Sequence, residues 1–288
     1  MNLKITYLIG AIVAITIIGI FSYLILTNNI NENTNNIVIA GSTSVQPVAQ
    51  ALANSYMNKH PNVNITVSGG DSSVGINSVH SGQVNIGTSS RNLTSSESNG
   101  LKQYSIGEDA IAIIVNIQNP INNISTEQLM DIYTGKITNW NQLGGNNATI
   151  TGITREIGSG TRYDFEKTVL GNNSYTNNIK VSSSNYDALQ TVAVSSNAIG
   201  YVARNQLDPE VKVLEVNNIS LTQQNVADGE YPMNRQMLFL VKGEPTGVIK
   251  DFINFSLGPQ GQAIINNTEY NSTSNIIYQG IAGLSGAG

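Results

Sequence analysis

Short apolar runs that end in Gly, Ser and Thr recur along this sequence and constrain its fold more than any other feature. Four such turns occur, at residues 41–44, 69–73, 87–90 and 158–161. In three of them an amphipathic run with helical spacing follows directly. Alternating strands and helices are typical of a mostly parallel sheet covered by helices. The pattern therefore predicts an α/β fold whose turns gather at the carboxyl edge of the sheet, where ligands bind in such folds.

Several stretches predict individual elements of this fold. "NIVIA" predicts a strand, and the run after it has one apolar helical face. "DAIAIIVN" (109–116) is the most apolar run after the N-terminal segment and predicts a central strand, while "VKVLEV" (211–216) predicts a further single strand. Ser125 and Gln128 have the spacing of a capping box, so a helix should start there. The last helical region should break near Gly258.

The first 26 residues differ in character from the rest of the chain. Residues 5–26, "ITYLIGAIVAITIIGIFSYLIL", carry no charge and are long enough to span a bilayer. Lys4 lies on their N-terminal side, which favours export of everything that follows. We expect residues 1–26 to form an N-terminal transmembrane helix that anchors the protein at the cell surface, and residues 27–36 to form a polar linker. A cleaved signal peptide is the alternative, although its apolar region is usually shorter and ends in small residues.

The composition argues against several classes of function. The chain has no cysteine, so disulfides and thiolate chemistry are ruled out. It has two histidines, so few side chains are available as ligands for a catalytic metal. Charged residues make up 11% of the chain and the net charge is -5 without a basic block, so we expect no nucleic-acid partner. Neither a nucleotide-binding Gly-x-x-x-x-Gly-Lys-Ser/Thr loop nor a Gly-x-Ser-x-Gly nucleophile elbow is present. We expect no cofactor and no metal.

The turn at residues 158–161 is flanked by arginines, in "TREIGSGTRYDFEK". A helix should begin at this turn, and the first N–H groups of a helix are left to bind an anion. Four such turns, with Arg155 and also Arg91, supply mostly neutral donors that suit a small oxyanion. Taken singly, such a turn is more often a helix cap or an ordinary turn than a binding site.

The sequence also resembles a known family in six stretches. These are "GSTSVQPVAQALANSY", "GGDSSVGINSVHSGQVNIGTSSRNL", "IYTGKITNWNQLGG", "TREIGSGTRYDFE", "AIGYVA" and "YPMNR". In this order they resemble the phosphate-binding proteins of high-affinity phosphate ABC transporters, over nearly all of residues 39–262. The resemblance implies a two-lobed fold of the type II periplasmic-binding-protein class, with a ligand cleft between the lobes. Lobe one would comprise residues 37–115 and 235–288, and lobe two residues 116–234.

The resemblance further implies the ligand, the partner and the binding residues. The ligand would be inorganic phosphate, the partner the permease subunits of an ABC transporter, and the protein a monomer that catalyses no reaction. The implied phosphate-binding residues are Thr43, Ser44, Ser72 and Ser90 from lobe one, and Arg155, Ser159, Gly160 and Thr161 from lobe two. Arg162 is expected to pair with an acid, either Asp164 or Glu166.

Ser90 departs from some relatives, which have there an aspartate that accepts the proton of hydrogen phosphate and so excludes sulfate. Asp71 is the candidate substitute acceptor, and Arg91 either binds phosphate or neutralises Asp71. A buried acceptor left unpaired costs about 1–3 kcal/mol, so the departure bears on selectivity. A receptor for sulfate, molybdate or tungstate therefore stays open as an alternative. Two others are a phosphate sensor without transport and a phosphohydrolase with a serine nucleophile, which would need a base or a metal nearby.

Overall fold

The computed structural model describes residues 35–268. Its strands are β1 (Asn36–Ser42), β2 (Asn64–Gly70), β3 (Ile86–Ser89), β4 (Leu101–Asn116), β5 (Asn123–Ile124), β6 (Thr151–Arg155), β7 (Lys180–Ser182), β8 (Ala198–Ala203), β9 (Val211–Val213), β10 (Glu215–Val216) and β11 (Asn234–Lys242). Its helices are α1 (Gln46–Lys59), α2 (Ser72–Ser81), α3 (Thr126–Thr134), α4 (Gly160–Phe165), α5 (Asn185–Val194), α6 (Gln223–Ala227), α7 (Gly247–Leu257) and α8 (residues 259–268). The predicted alternation of strands and helices is confirmed.

A nine-stranded sheet runs through the described part of the chain in the order β2-β1-β3-β11-β4-β8-β6-β7, with β9 paired to β4. β1, β2 and β3 are parallel, and so are β6, β7 and β8. β11 and β4 lie between these two parallel sets and pair with each other in antiparallel register. Each parallel set therefore has its own carboxyl edge, and the four Gly, Ser and Thr turns lie on these two edges.

The buried side chains form two large clusters, which make the fold two-lobed. Phe252 belongs to the cluster built on β1, β3 and β11, and Trp140 belongs to the cluster built on β6 and β8. β4 contributes to both, with Ile106 in the first cluster and residues 110–115 in the second. Its pairing changes at the same place, because residues 101–110 pair with β11 whereas residues 111–116 pair with β8 and β9.

Most of the expected elements are present, and two differ from the prediction. The capping box of Ser125 and Gln128 is confirmed, as is the break of the last helical region at Gly258. "DAIAIIVN" is a central strand, but it is only the second half of β4, because the less apolar stretch from Leu101 continues the same strand. "VKVLEV" as one strand is wrong, since β9 pairs with β4 and β10 pairs with β5.

The expected N-terminal transmembrane helix lies outside the described residues. Within residues 35–268 no helix combines the length and the apolar character needed to cross a bilayer.

Close backbone packing holds α2 against β1 and β3. A Cβ added to Gly75 would lie 2.3 Å from the carbonyl oxygen of Thr88, and one added to Gly87 would lie 2.4 Å from the carbonyl oxygen of Gly75. Real Cβ atoms do not approach backbone so closely, so a side chain at either position would push the helix away from the sheet. Since α2 begins at Ser72, this packing also sets how far Ser72 stands from the end of β3.

We predict that Gly75→Ala destabilises the protein by about 1–3 kcal/mol, because overpacking at a backbone contact cannot be relieved by a side-chain rotation. Chemical denaturation would measure the effect. Asn77→Ala, at an exposed position of the same helix, is the matched control and should leave the denaturation midpoint nearly unchanged. Equal midpoints for Gly75→Ala and the unaltered protein would contradict the packing argument.

Candidate functional site

Five buried hydroxyls from the strand ends meet in one place and form what we call the hydroxyl cluster: Ser42, Ser44, Ser72, Ser90 and Thr161. The Ser42 hydroxyl donates to Ser90 Oγ at 2.9 Å, and Ser72 Oγ lies 3.4 Å from Ser90 Oγ. Ser44 Oγ lies 3.1 Å from Thr161 Oγ1. Each of these side chains is at most 3% exposed. Residues far apart in the sequence thus converge on one small volume, as the turn pattern predicted.

The turn before α4 approaches the cluster with its backbone. The Ser159 hydroxyl caps α4 by accepting from the Arg162 N–H. A Cβ added to Gly160 would lie 2.4 Å from both Ser72 Oγ and Ser90 Oγ, so only glycine allows this approach. Two of the turns predicted to bind an anion therefore face each other across the cluster, one from each lobe.

Thr43 lies at the margin of the cluster and is half-buried. Its backbone N–H donates to the Gly70 carbonyl at 3.3 Å, and its hydroxyl accepts from Asn185 Nδ2 at 3.4 Å. Among the residues expected at the site, the structure thus brings Ser44, Ser72, Ser90 and Thr161 together most closely.

Arg155 is buried at the end of β6 and is held from several sides. Its Nε and Nη2 donate to the Glu156 carboxylate at 3.2 and 2.6 Å, and its Nη1 donates to Asn185 Oδ1 at 3.0 Å. Asn185 in turn donates to Ser44 Oγ at 3.0 Å. The Arg155 guanidinium is therefore fixed beside the hydroxyl cluster, and its charge is balanced by a carboxylate.

Asp71 and Glu156 form a pair of carboxyl groups next to Arg155. Asp71 Oδ1 lies 3.4 Å from Arg155 Nη2. Burial raises the pKa of Asp71 to about 7, helped by a hydrogen bond to Glu156 and by its negative charge. Burial also acts to raise the pKa of Glu156, but hydrogen bonds from Asp71 and Arg155 outweigh it, so that pKa falls below its usual value. The pair therefore shares a proton near neutral pH, with the proton mainly on Asp71.

Arg91 makes its contacts on the outer side of this region. Its guanidinium pairs with Glu97 at 2.7 Å, donates to Ser73 Oγ at 3.3 Å and lies 5.0 Å from the centre of the Tyr163 ring. The ion pair lowers the pKa of Glu97 to about 2, chiefly through the hydrogen bond from Arg91. The structure therefore does not place Arg91 with Asp71 or with the hydroxyl cluster.

Arg162 pairs with Glu166 at 2.6 Å across one turn of helix, as expected. Asp164, the other expected partner, lies deeper, and burial raises its pKa to about 6.

Sequence reasoning did not name five residues at the site: Ser42, Glu156, Asn185, Arg235 and Asp109. Arg235 Nη1 donates to Thr161 Oγ1 at 2.9 Å, and its Nη2 donates to Ser44 Oγ at 3.0 Å. Asp109 accepts from Arg235 Nε and Nη2 at 2.8 and 2.6 Å. The available signal was Asp109 itself, since an acid at the head of an apolar strand needs a buried partner. The partner lies 126 positions away, which sequence spacing does not reveal.

The arrangement can bind an oxyanion without changing it. Hydroxyl groups, backbone N–H groups and a balanced guanidinium all converge on one volume, and these are the groups that bind tetrahedral oxyanions. Among residues 35–268, no group of three or more His, Cys, Asp or Glu could hold a metal ion.

The chain is similar in sequence and in structure to several known proteins. A family model described as "PBP superfamily domain" matches residues 28–260. The chain is 33% identical over 228 residues to phosphate-binding protein PstS from Bacillus subtilis (strain 168), which covers 77% of this chain and 75% of the relative.

Two solved structures resemble the described fold closely. One is a phosphate ABC transporter substrate-binding protein from Clostridium perfringens, solved with bound phosphate. Its TM-score to this chain is 0.79 and its sequence identity is 38%, and the match covers 82% of this chain and 98% of that one. The other is an ABC-type phosphate transport receptor from Vibrio cholerae, with a TM-score of 0.69, 34% identity, and coverage of 81% and 98%. The chain therefore belongs to the PBP superfamily and, within it, to the phosphate-binding protein family.

Proposed function

We propose that this protein is an extracytoplasmic receptor that captures inorganic phosphate and delivers it to the permease subunits of an ABC transporter. One observation carries the proposal: the buried hydroxyl cluster joins donors from both lobes beside the fixed guanidinium of Arg155. The similarity to a protein solved with bound phosphate supports the same ligand. The protein binds its ligand intact and is not an enzyme.

The proposed binding mode uses the residues that the resemblance implied. Lobe one supplies Thr43, Ser44, Ser72 and Ser90, and lobe two supplies Arg155, Ser159, Gly160 and Thr161. Hydrogen bonds from neutral donors contribute most contacts, and Arg155 contributes the charge-assisted one. Lobe closure over the anion is a hinge motion, in which β4 and β11 connect the two halves.

The proposed lobes are residues 37–115 with 235–288 for lobe one, and residues 116–234 for lobe two. The two buried clusters support this division, although residues 110–115 pack in the lobe-two cluster. We further propose a monomer that is tethered at the cell surface through residues 1–26. The extracytoplasmic setting rests on the phosphate-binding relatives, and the tether rests on the uncharged run at residues 5–26.

Selectivity against sulfate requires an acceptor for the proton of hydrogen phosphate. Within the described chain, the hydrogen bonds of Asp71 go to Arg155 and Glu156. A protonated Asp71 accepts hydrogen bonds only through its uncharged carbonyl oxygen, so Asp71 is the stronger acceptor for the proton of hydrogen phosphate in its ionised form, above about pH 7. A receptor for sulfate, molybdate or tungstate is therefore the alternative, and calorimetric titration with several anions distinguishes it from a phosphate receptor.

Calorimetric titration of residues 36–288, first unfolded to remove bound anion and then refolded, should show phosphate binding tightly and sulfate binding at least about tenfold more weakly. Molybdate and arsenate complete the series. Tighter binding of sulfate than of phosphate would contradict the proposed ligand. Heat with none of the four anions would favour a surface protein that has kept the fold without the binding function.

Arg155→Ala should weaken phosphate binding by at least about 100-fold, because truncating a buried, hydrogen-bonded charge costs roughly 3 kcal/mol or more. Arg162→Ala is the comparison variant and should cost clearly less affinity, because Arg162 pairs with Glu166 at the half-exposed helix surface and contacts Arg155 only at its backbone carbonyl, at 2.8 Å. Calorimetry on both variants measures the two losses. Losses of similar size would show that Arg155 has no special role.

The phosphate affinity should depend on pH, partly because Asp71 takes up a proton when the cleft closes. The pKa of Asp71 is about 7 in the closed structure and should return towards its ordinary value of 3.8 when the cleft opens. Closing then takes up a proton between about pH 4 and pH 7, so the contribution of Asp71 to affinity falls as the pH rises through this window, by at most about tenfold per pH unit. Glu156, whose pKa is lowered, adds a slope of opposite sign at more acidic pH.

Phosphate itself also titrates in this pH range, and its titration affects both proteins alike. Comparing the unaltered protein with Asp71→Asn therefore isolates the contribution of Asp71 to the pH dependence. The ratio of the phosphate affinity of the unaltered protein to that of Asp71→Asn should fall between pH 5 and pH 8. A ratio that stays constant over these pH values would remove Asp71 from the linkage. The same titrations with sulfate test Asp71 as the acceptor, because an unchanged preference for phosphate in Asp71→Asn at pH 8 would exclude that role.

A further inference from the structure

We propose that Arg235, held by Asp109, is a positioning residue that sets the direction in which the hydroxyl protons of Ser44 and Thr161 point. This inference rests on the proposed phosphate site and deepens it. Arg235 acts through the two hydroxyls: Ser44 is made to donate to Thr161, and Thr161 is made a donor toward the ligand before the ligand arrives.

The position of Arg235 is fixed by the sheet. Arg235 on β11 lies directly opposite Asp109 on β4 in the antiparallel register. Two N–H groups of the guanidinium donate to the same carboxylate oxygen, Asp109 Oδ2, at 2.8 and 2.6 Å. Both side chains are buried, with 2% of Arg235 and none of Asp109 exposed. The remaining N–H groups of the planar guanidinium therefore point in a direction that the backbone pairing determines.

The hydrogen bonds at Ser44 leave one choice for its proton. Ser44 Oγ accepts from Arg235 Nη2 at 3.0 Å and from Asn185 Nδ2 at 3.0 Å. Both nitrogens are donors without acceptor capacity, and a hydroxyl has two lone pairs and one proton. The two lone pairs of Ser44 are therefore occupied, and its hydroxyl must donate. Thr161 Oγ1, at 3.1 Å, is the acceptor within reach.

The same count applies to Thr161. Its Oγ1 accepts from Arg235 Nη1 at 2.9 Å and from the Ser44 hydroxyl, so its two lone pairs are also occupied. The Thr161 proton is then left to be donated, and a phosphate oxygen bound at the hydroxyl cluster is an acceptor for it. Arg235 and Asn185 thus orient a short chain of donors that runs from Ser44 to Thr161 and on to the anion.

This orientation matters because a free hydroxyl can present either its proton or a lone pair. The unprotonated oxygens of phosphate have no proton to offer an exposed lone pair, so hydroxyls that rotate freely must be ordered at the expense of affinity. The ion pair with Asp109 balances the charge of Arg235, which lets the guanidinium order the hydroxyls without being a direct ligand itself.

A double-mutant cycle tests whether Arg235 acts through Thr161. Asp109→Asn with Arg235→Gln removes both charges together, so neither is left buried without its partner. In the otherwise unaltered protein we expect this change to weaken phosphate binding by about 10- to 100-fold, measured by calorimetry. In a Thr161→Val background, which lacks the hydroxyl, the same change should weaken binding by no more than about threefold.

Thr161→Ser is the matched background, because it keeps the hydroxyl. There the change at Asp109 and Arg235 should again cost about 10-fold or more, and this rescue would not occur if the ion pair only stabilised the fold. Melting curves without phosphate identify any variant that is unfolded at about 25 °C, in which case Arg235→Lys, which lacks the guanidinium fork, replaces the paired change throughout the cycle.

Equal losses in the Thr161→Val and Thr161→Ser backgrounds would overturn the inference while leaving the proposed function intact, provided that the unaltered protein binds phosphate. Absence of phosphate binding by the unaltered protein would overturn both.

Discussion

Strand β4 passes from one lobe to the other, and the geometry of the site depends on a buried ion pair at the point where the pairing of this strand changes. Its first part pairs with β11 and its second part with β8 and β9. Asp109 lies next to this change and is fully buried. A buried carboxylate is costly unless it is paired, and Arg235 on β11 supplies the partner. The guanidinium that this pairing fixes then contacts Ser44 from lobe one and Thr161 from lobe two.

The site balances most of its charge within itself. Arg155 pairs with Glu156, and Arg235 pairs with Asp109. An anion in the cleft therefore meets hydroxyl and backbone dipoles as well as guanidinium groups whose charge is already shared with a carboxylate. This arrangement suits a receptor that must release its ligand, because a site with several unbalanced cations would hold the anion by charge alone.

Glycines determine how closely the two lobes and their layers approach. Gly75 lets α2 lie against the backbone of β3, which brings Ser72 beside Ser90. Gly160 lets the start of α4 approach the same two hydroxyls from the other lobe. The hydroxyl cluster is thus narrow because glycine, which has no side chain, lies against its neighbours at these points.

The sequence by itself determined the α/β class, the presence of most elements and the residue types at the site. Local rules sufficed there, because Gly, Ser and Thr at a strand end, a capping box and an apolar period each act within a few residues. It also placed Ser44, Ser72 and Ser90 on turns that the parallel pairing of β1, β2 and β3 brought to one carboxyl edge, and Thr161 on a turn at the edge of the other parallel set. It did not determine that the stretch before "DAIAIIVN" joins the same strand, or that "VKVLEV" divides between two sheets.

Apart from Arg162 with Glu166, which are neighbours on one helical turn, only the tertiary structure decided which charged groups meet. Arg91 faces Glu97 and Tyr163, whereas Arg155 faces Glu156, Asn185 and Asp71. The pairing of Asp109 with Arg235 joins strands that are distant in the sequence, and its register follows from the packing of the whole sheet. Electrostatic partners are chosen by distance and burial in three dimensions. A sequence can show that a buried acid needs a partner, but the fold selects which residue that partner is.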